Sequence, residues 1–225
     1  MRMRKPLAVL AAVLVAAAGL LTAPAAPATA HTASTYYTAK WPTNTNVEYG
    51  LNAGFPGGTF RDAIFDGKQD WNDVAGTNEP EIFWSLADDI LYGNYQNPCS
   101  LLSGNNTNIV FWSDLDVYST SYLGLTLRCL SGSTITKTSL TIDSDRTWYT
   151  GTGSPGSLPD LWSVAAHEFG HVTGWGPHLP TGESTTCPSP AETSIRHTMC
   201  ATVVAGTTIM RVLAPHDWHT FQAAY

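Results

Sequence analysis

His167, Glu168 and His171 form the pattern H-E-x-x-H, with the two histidines four residues apart. On a helix that spacing sets both imidazoles on one face, one turn apart. Two neutral imidazole nitrogens can take two corners of a tetrahedral zinc site. Glu168 leaves the same helix and reaches a water on the metal without being a ligand, the placement of a general base. Gly174 lets the chain leave the helix through a left-handed conformation. The chain then returns with His178 as the third ligand. A fourth corner stays open, as catalytic zinc requires. Asp160, His197 and His216 are the alternative third ligands.

These residues need a helix under them and a scaffold around it. Ser157 or Leu158 opens the helix, and Pro159 falls where a missing N–H costs nothing. The helix is expected to run to about Thr173. Alternation and β-branched content predict strands over residues 46–51, 82–86, 108–112, 123–130 and 139–143. Thr59 is expected to cap a helix over residues 60–74, whose apolar positions include Phe60, Ala63, Ile64, Trp71 and Val74. Gly67 is the weak point of that helix. Residues 31–39 read as a short flexible start, 88–104 as a loop and 215–224 as a last helix. There is no internal repeat and no second domain. The expected fold class is α+β, with a twisted mixed sheet, the active-site helix, and a small C-terminal subdomain ending in a helix.

Of the 225 residues, 1–30 read as a signal peptide. A basic start, Met1 to Lys5, precedes an apolar run from Leu7 to Leu21, and Ala28-Thr29-Ala30 fits a small-x-small cleavage rule. The apolar run is about 15 residues, short for a spanning helix. The expected mature domain is 31–225, in an extracellular, secreted protein. The leader carries three of the 11 basic residues and none of the 18 acidic ones, so the mature charge is 8 − 18 = −10. That balance argues against nucleic acid or an anionic membrane surface as a partner. Four cysteines in an oxidising compartment suggest two disulfides. Three connectivities exist, and the shorter loops favour Cys99–Cys129 and Cys187–Cys200.

The stretch Ser163-Val164-Ala165-Ala166-His167-Glu168-Phe169-Gly170-His171, with Gly174 and His178 after it, resembles the metzincin zinc endopeptidases. Within them it is most similar to the matrixins, whose pattern is H-E-x-x-H-x-x-G-x-x-H followed by a methionine turn. Thr198-Met199-Cys200 stands where that turn is expected, with Met210 as its competitor. Leu213 to Trp218 and Phe221 to Tyr225 resemble the family's closing helix. The likeness spans most of 35–225, but only 157–200 is specific. His178 falls one residue later than the family pattern, which Gly176 and Pro177 accommodate through a longer turn. No histidine lies between residues 32 and 166, so the extra histidine-bound structural zinc of many matrixins has no ligands here.

The resemblance implies a secreted zinc-dependent endopeptidase. Its metal ligands are His167, His171 and His178, and Glu168 is the general base toward a zinc-activated water. The implied partner is a protein or peptide substrate, and the chain is expected to act as a monomer. Matrixins often bind calcium, which makes Asp114/Asp116 and Asp143/Asp145 candidate Ca2+ ligands. Two alternatives are a non-catalytic zinc-containing binding module and a zinc amidase acting on a cell-wall bond.

Overall fold

The computed structural model describes residues 36–84, 97–100, 108–176, 197–203 and 205–225. Among the described residues five strands form one mixed sheet: β1 Asn46–Leu51, β2 Glu81–Trp84, β3 Asn108–Ser113, β4 Gly124–Ser131 and β5 Thr134–Asp143. Their order is β2-β1-β3-β5-β4. The first four in that order run parallel, and β4 pairs antiparallel with β5 at the edge. Among the described residues the sheet is accompanied by the α-helices α1 Thr59–Asn72, α2 Leu161–Val172 and α3 Pro215–Ala224. The architecture is thus a mixed α/β arrangement compatible with the α+β expectation. Among the described residues no helix is long and apolar enough to cross a membrane.

The strand β1 and the helix α3 match their expected limits. Strand β3 ends one residue later, β4 is displaced by one residue, β2 is described over Glu81–Trp84, and three further departures have a physical cause. Strand β5 begins at Thr134, because the tight turn at Gly132, with φ +62°, sends the chain straight back along β4. Helix α1 is capped at Gly58, and Thr59 lies inside it with its hydroxyl bonded to Thr150 Oγ1. Tyr36 and Tyr37 belong to the core rather than to a flexible start, each 6 % exposed. Both rings pack on Trp175, at centroid distances of 5.1 and 5.6 Å.

Helix α2 is the centre of the core. Every residue in it except Trp162 is buried, so it is covered on all sides. Helix α1 lies against it with close backbone approach. A Cβ on Gly67 would sit 2.6 Å from Ala166 N and 2.7 Å from Ala165 Cβ. The glycine that weakens α1 in isolation is what lets the two helices touch. Two indoles then donate to α2 carbonyls, and a third, on α2 itself, donates to α1. Trp71 Nε1 donates to Ala166 O at 2.7 Å, Trp41 Nε1 to Val172 O at 2.8 Å, and Trp162 Nε1 to Asp70 Oδ2 at 2.7 Å.

The Cys99–Cys129 disulfide forms as expected. It ties the short turn Pro98–Ser100 to the edge strand β4. Closing a loop of 30 residues typically contributes about 3–4 kcal/mol. Cys200 is also disulfide-bonded, while Cys187, its expected partner, lies outside the described residues.

Burial lifts the Asp70 carboxyl to about 7, against an ordinary value of 3.8, with the Trp162 bond opposing and Asp66 and Asp73 adding. The folded state therefore keeps a proton that the unfolded chain releases above its lower value. This contribution is full below about pH 4 and is lost as pH rises to about 7. Asp70→Asn keeps an acceptor for Trp162. It is expected to raise stability by about 1–3 kcal/mol at pH 8 and to leave it unchanged near pH 4. Urea denaturation at the two pH values measures this, and an equal effect at both contradicts it.

Candidate metal centre

Helix α2 starts later than expected, at Leu161. Tyr149 and Asp160 form a β-bridge, with Tyr149 N donating to Pro159 O at 2.9 Å and Leu161 N to Tyr149 O at 3.0 Å. The bridge holds Pro159 in extended chain ahead of the helix. Asp160 then serves as N-cap, its carboxylate accepting from Ser163 N at 3.0 Å and from Ser163 Oγ at 2.6 Å. Arg211 closes on the same carboxylate with two bonds, Nε at 2.8 Å and Nη2 at 2.5 Å. Both oxygens of Asp160 are therefore committed to holding the helix start. This removes it as a metal ligand.

The far end of α2 is fixed carbonyl by carbonyl. The last C=O groups of a helix have no partner within it. Here Trp41 takes Val172 O, Tyr225 takes Thr173 O at 2.5 Å and Arg128 takes Gly174 O at 2.9 Å. Gly174 has φ +112°, the left-handed exit expected of it.

The two motif histidines face each other edge to face, with ring centroids 4.9 Å apart and planes at 81°. His167 Nδ1 lies 2.6 Å from Thr198 O, and His171 Nδ1 lies 2.8 Å from Trp175 O. A carbonyl only accepts, so each Nδ1 carries the hydrogen and each Nε2 carries the lone pair. This is the outer-shell arrangement that orients imidazoles toward a metal. The donor set and the fixed tautomers fit zinc.

Thr198 is itself held firmly. Its N–H donates to Asp217 Oδ2 at 2.8 Å, and its hydroxyl donates to Met210 O at 3.3 Å. Met199 is fully buried, and its sulfur lies against Gly170 of α2.

Glu168 is 5 % exposed and borders a cleft of about 470 Å³ that His167 and His171 also line. Its carboxyl is pushed up to about 7, chiefly by burial, while hydrogen bonding from Thr126 works the other way. Thr126 Oγ1 donates to Glu168 Oε2 at 2.7 Å. A Cβ on Gly124 would come within 2.7 Å of Glu168 Oε1 and Cγ. The bare backbone of β4 is what leaves this carboxylate room. Neither Thr126 nor Gly124 was legible beforehand, because the signal is a strand-to-helix approach across more than 40 residues.

His178 lies outside the described residues. Among the described residues, no further His, Cys, Asp or Glu side chain groups with His167 and His171. His197 and His216 instead cluster with Asp217. Of the calcium candidates, Asp114, Asp143 and Asp145 converge, and Asp116 stands apart from them. Arg146 bonds Asp143 Oδ2 at 2.7 Å, so a cationic group already serves that cluster.

Comparison with protein-family models and with curated proteins gave no match.

Asp160→Ala removes the cap of α2 and strips the partly buried Arg211 of its carboxylate. Breaking one side of such a pair costs about 3–5 kcal/mol. Chemical denaturation is expected to show a loss of that size, and a loss below about 1 kcal/mol contradicts the role given to this pair.

Proposed function

We propose that the chain is a secreted zinc-dependent endopeptidase of matrixin-like metzincin type. His167 and His171 would hold zinc through Nε2, and His178, from the segment between Gly176 and His197, would complete the set. The observation that carries this reading is the pair of Nδ1 bonds to Thr198 O and Trp175 O, beside a buried carboxylate in the same cleft. A purely structural zinc has no use for that carboxylate and tends to take four protein ligands.

Zinc, when bound, would supply Lewis acidity toward water and the substrate carbonyl. The chain's own residues do the rest. Burial sets the Glu168 carboxyl at about 7, so near neutral pH it passes readily between its two forms. A base with that value accepts a proton from the attacking water and returns it to the departing amine. Thr126 Oγ1 keeps Oε2 in place, leaving Oε1 for the exchange. The edge strand β4 supplies the substrate platform. Among the described residues it pairs only with β5, and Gly124 to Thr126 line the cleft beside Glu168. An extended peptide can add to such an edge through main-chain hydrogen bonds. That geometry favours a polypeptide over a compact amide substrate.

The test is casein or peptide hydrolysis by the purified protein with zinc. Glu168→Gln is expected to retain the metal and lose about 10²–10⁴-fold in rate, and a chelator is expected to abolish turnover. Activity that survives both would sink the proposal. Gly124→Ala pushes a methyl group onto Glu168 and is expected to lower kcat at least tenfold. An unchanged kcat would show that β4 and Glu168 can separate freely.

A further inference from the structure

We propose that His197, His216 and Asp217 form a second metal site, which takes a zinc-class divalent cation and joins the turn at 197–203 to the start of α3. The ligand atoms of the three side chains all lie within 4.8 Å of one another. Two ligands about 2.0–2.1 Å from a tetrahedral ion stand ~3.4 Å apart. His197 Nδ1 and Asp217 Oδ1 are 3.4 Å apart. They do not hydrogen-bond to each other, and among the described residues both atoms are buried with no other hydrogen-bond partner. A buried acceptor without a hydrogen bond is costly, because its hydration is lost.

The two oxygens of Asp217 divide their work. Oδ2 accepts from Thr198 N at 2.8 Å and from Ala214 N at 3.3 Å. Oδ1 faces His197 Nδ1, as a one-oxygen carboxylate ligand does when the backbone orients its other oxygen. Asp217 itself is fully buried.

The rings repeat the geometry of the first centre. His197 and His216 have centroids 4.9 Å apart and planes at 85°, against 4.9 Å and 81° for His167 and His171. His216 is set in its orientation by Tyr36, at 6.1 Å, and Trp175, at 6.2 Å. His197 is 9 % and His216 8 % exposed, so the cluster lies just beneath the surface, within reach of an ion. Two imidazoles and a carboxylate are the donor set of zinc sites, with one position left for water. The ion would brace the turn whose Thr198 carbonyl orients His167.

The test counts metal in the purified protein after equilibration with Zn2+. Wild type is expected to hold two equivalents. The double variant His167→Ala/His171→Ala is expected to keep one, and adding His197→Gln to it is expected to leave none. Circular dichroism reports whether each variant is folded. Co2+ gives an independent reading, because a tetrahedral site with imidazole ligands produces a visible absorption band in the double variant that His197→Gln removes. A folded double variant that binds neither Zn2+ nor Co2+ overturns the proposal, and so does unchanged stoichiometry on adding His197→Gln. Wild type with one equivalent and a metal-free double variant would remove this site and leave the peptidase reading standing. A double variant that matches wild type at one equivalent would support this site and remove His167 and His171 as ligands.

Discussion

Two hydrogen bonds from imidazole to main chain govern the rest of the site: His167 Nδ1 with Thr198 O, and His171 Nδ1 with Trp175 O. Each fixes a tautomer and a ring plane together. Each also depends on a different part of the chain. The Trp175 carbonyl follows immediately after α2, where Gly174 turns the backbone and Arg128 reaches over from β4. The Thr198 carbonyl comes from a turn more than 30 residues further on. That turn is held from behind by Asp217 on α3 and from below by the packing of Met199. Sheet, site helix and last helix are therefore all required to aim two nitrogens.

The same packing creates the electrostatic setting of Glu168. A helix buried on nearly every side carries its one carboxylate into low-dielectric surroundings, which favours the protonated form. A single hydroxyl, Thr126 Oγ1, offsets part of that effect. A carboxyl poised near neutrality beside two oriented imidazoles suits proton exchange, whereas a charge held only for structure is usually paired. Asp160 shows the contrast, fully buried and committed to Ser163 and Arg211.

Local signals in the sequence were read well, and distant ones were not. The motif helix, β1 and α3 have periodicity and spacing that depend on neighbours in the chain. The cap at Asp160 did not, because the bridge to Tyr149 moves the helix start three residues along and Arg211 completes it from 51 residues away. Gly67 looked like a flaw in α1 because its value lies in what α2 brings against it. Tyr36 and Tyr37 looked flexible because their partner, Trp175, is distant in the chain. Thr126 and Gly124 carry no motif and gain their roles only from the register of β4 against α2.

The most direct measurement is zinc-edge anomalous diffraction from crystals of the protein grown with zinc. The expected map places an ion bonded to Nε2 of both His167 and His171, with Glu168 beside it but outside the ligand shell and both Nδ1 atoms still on their carbonyls. An ion bound through Nδ1, an ion ligated by Glu168, or no ion at this pair would contradict the reading of the site.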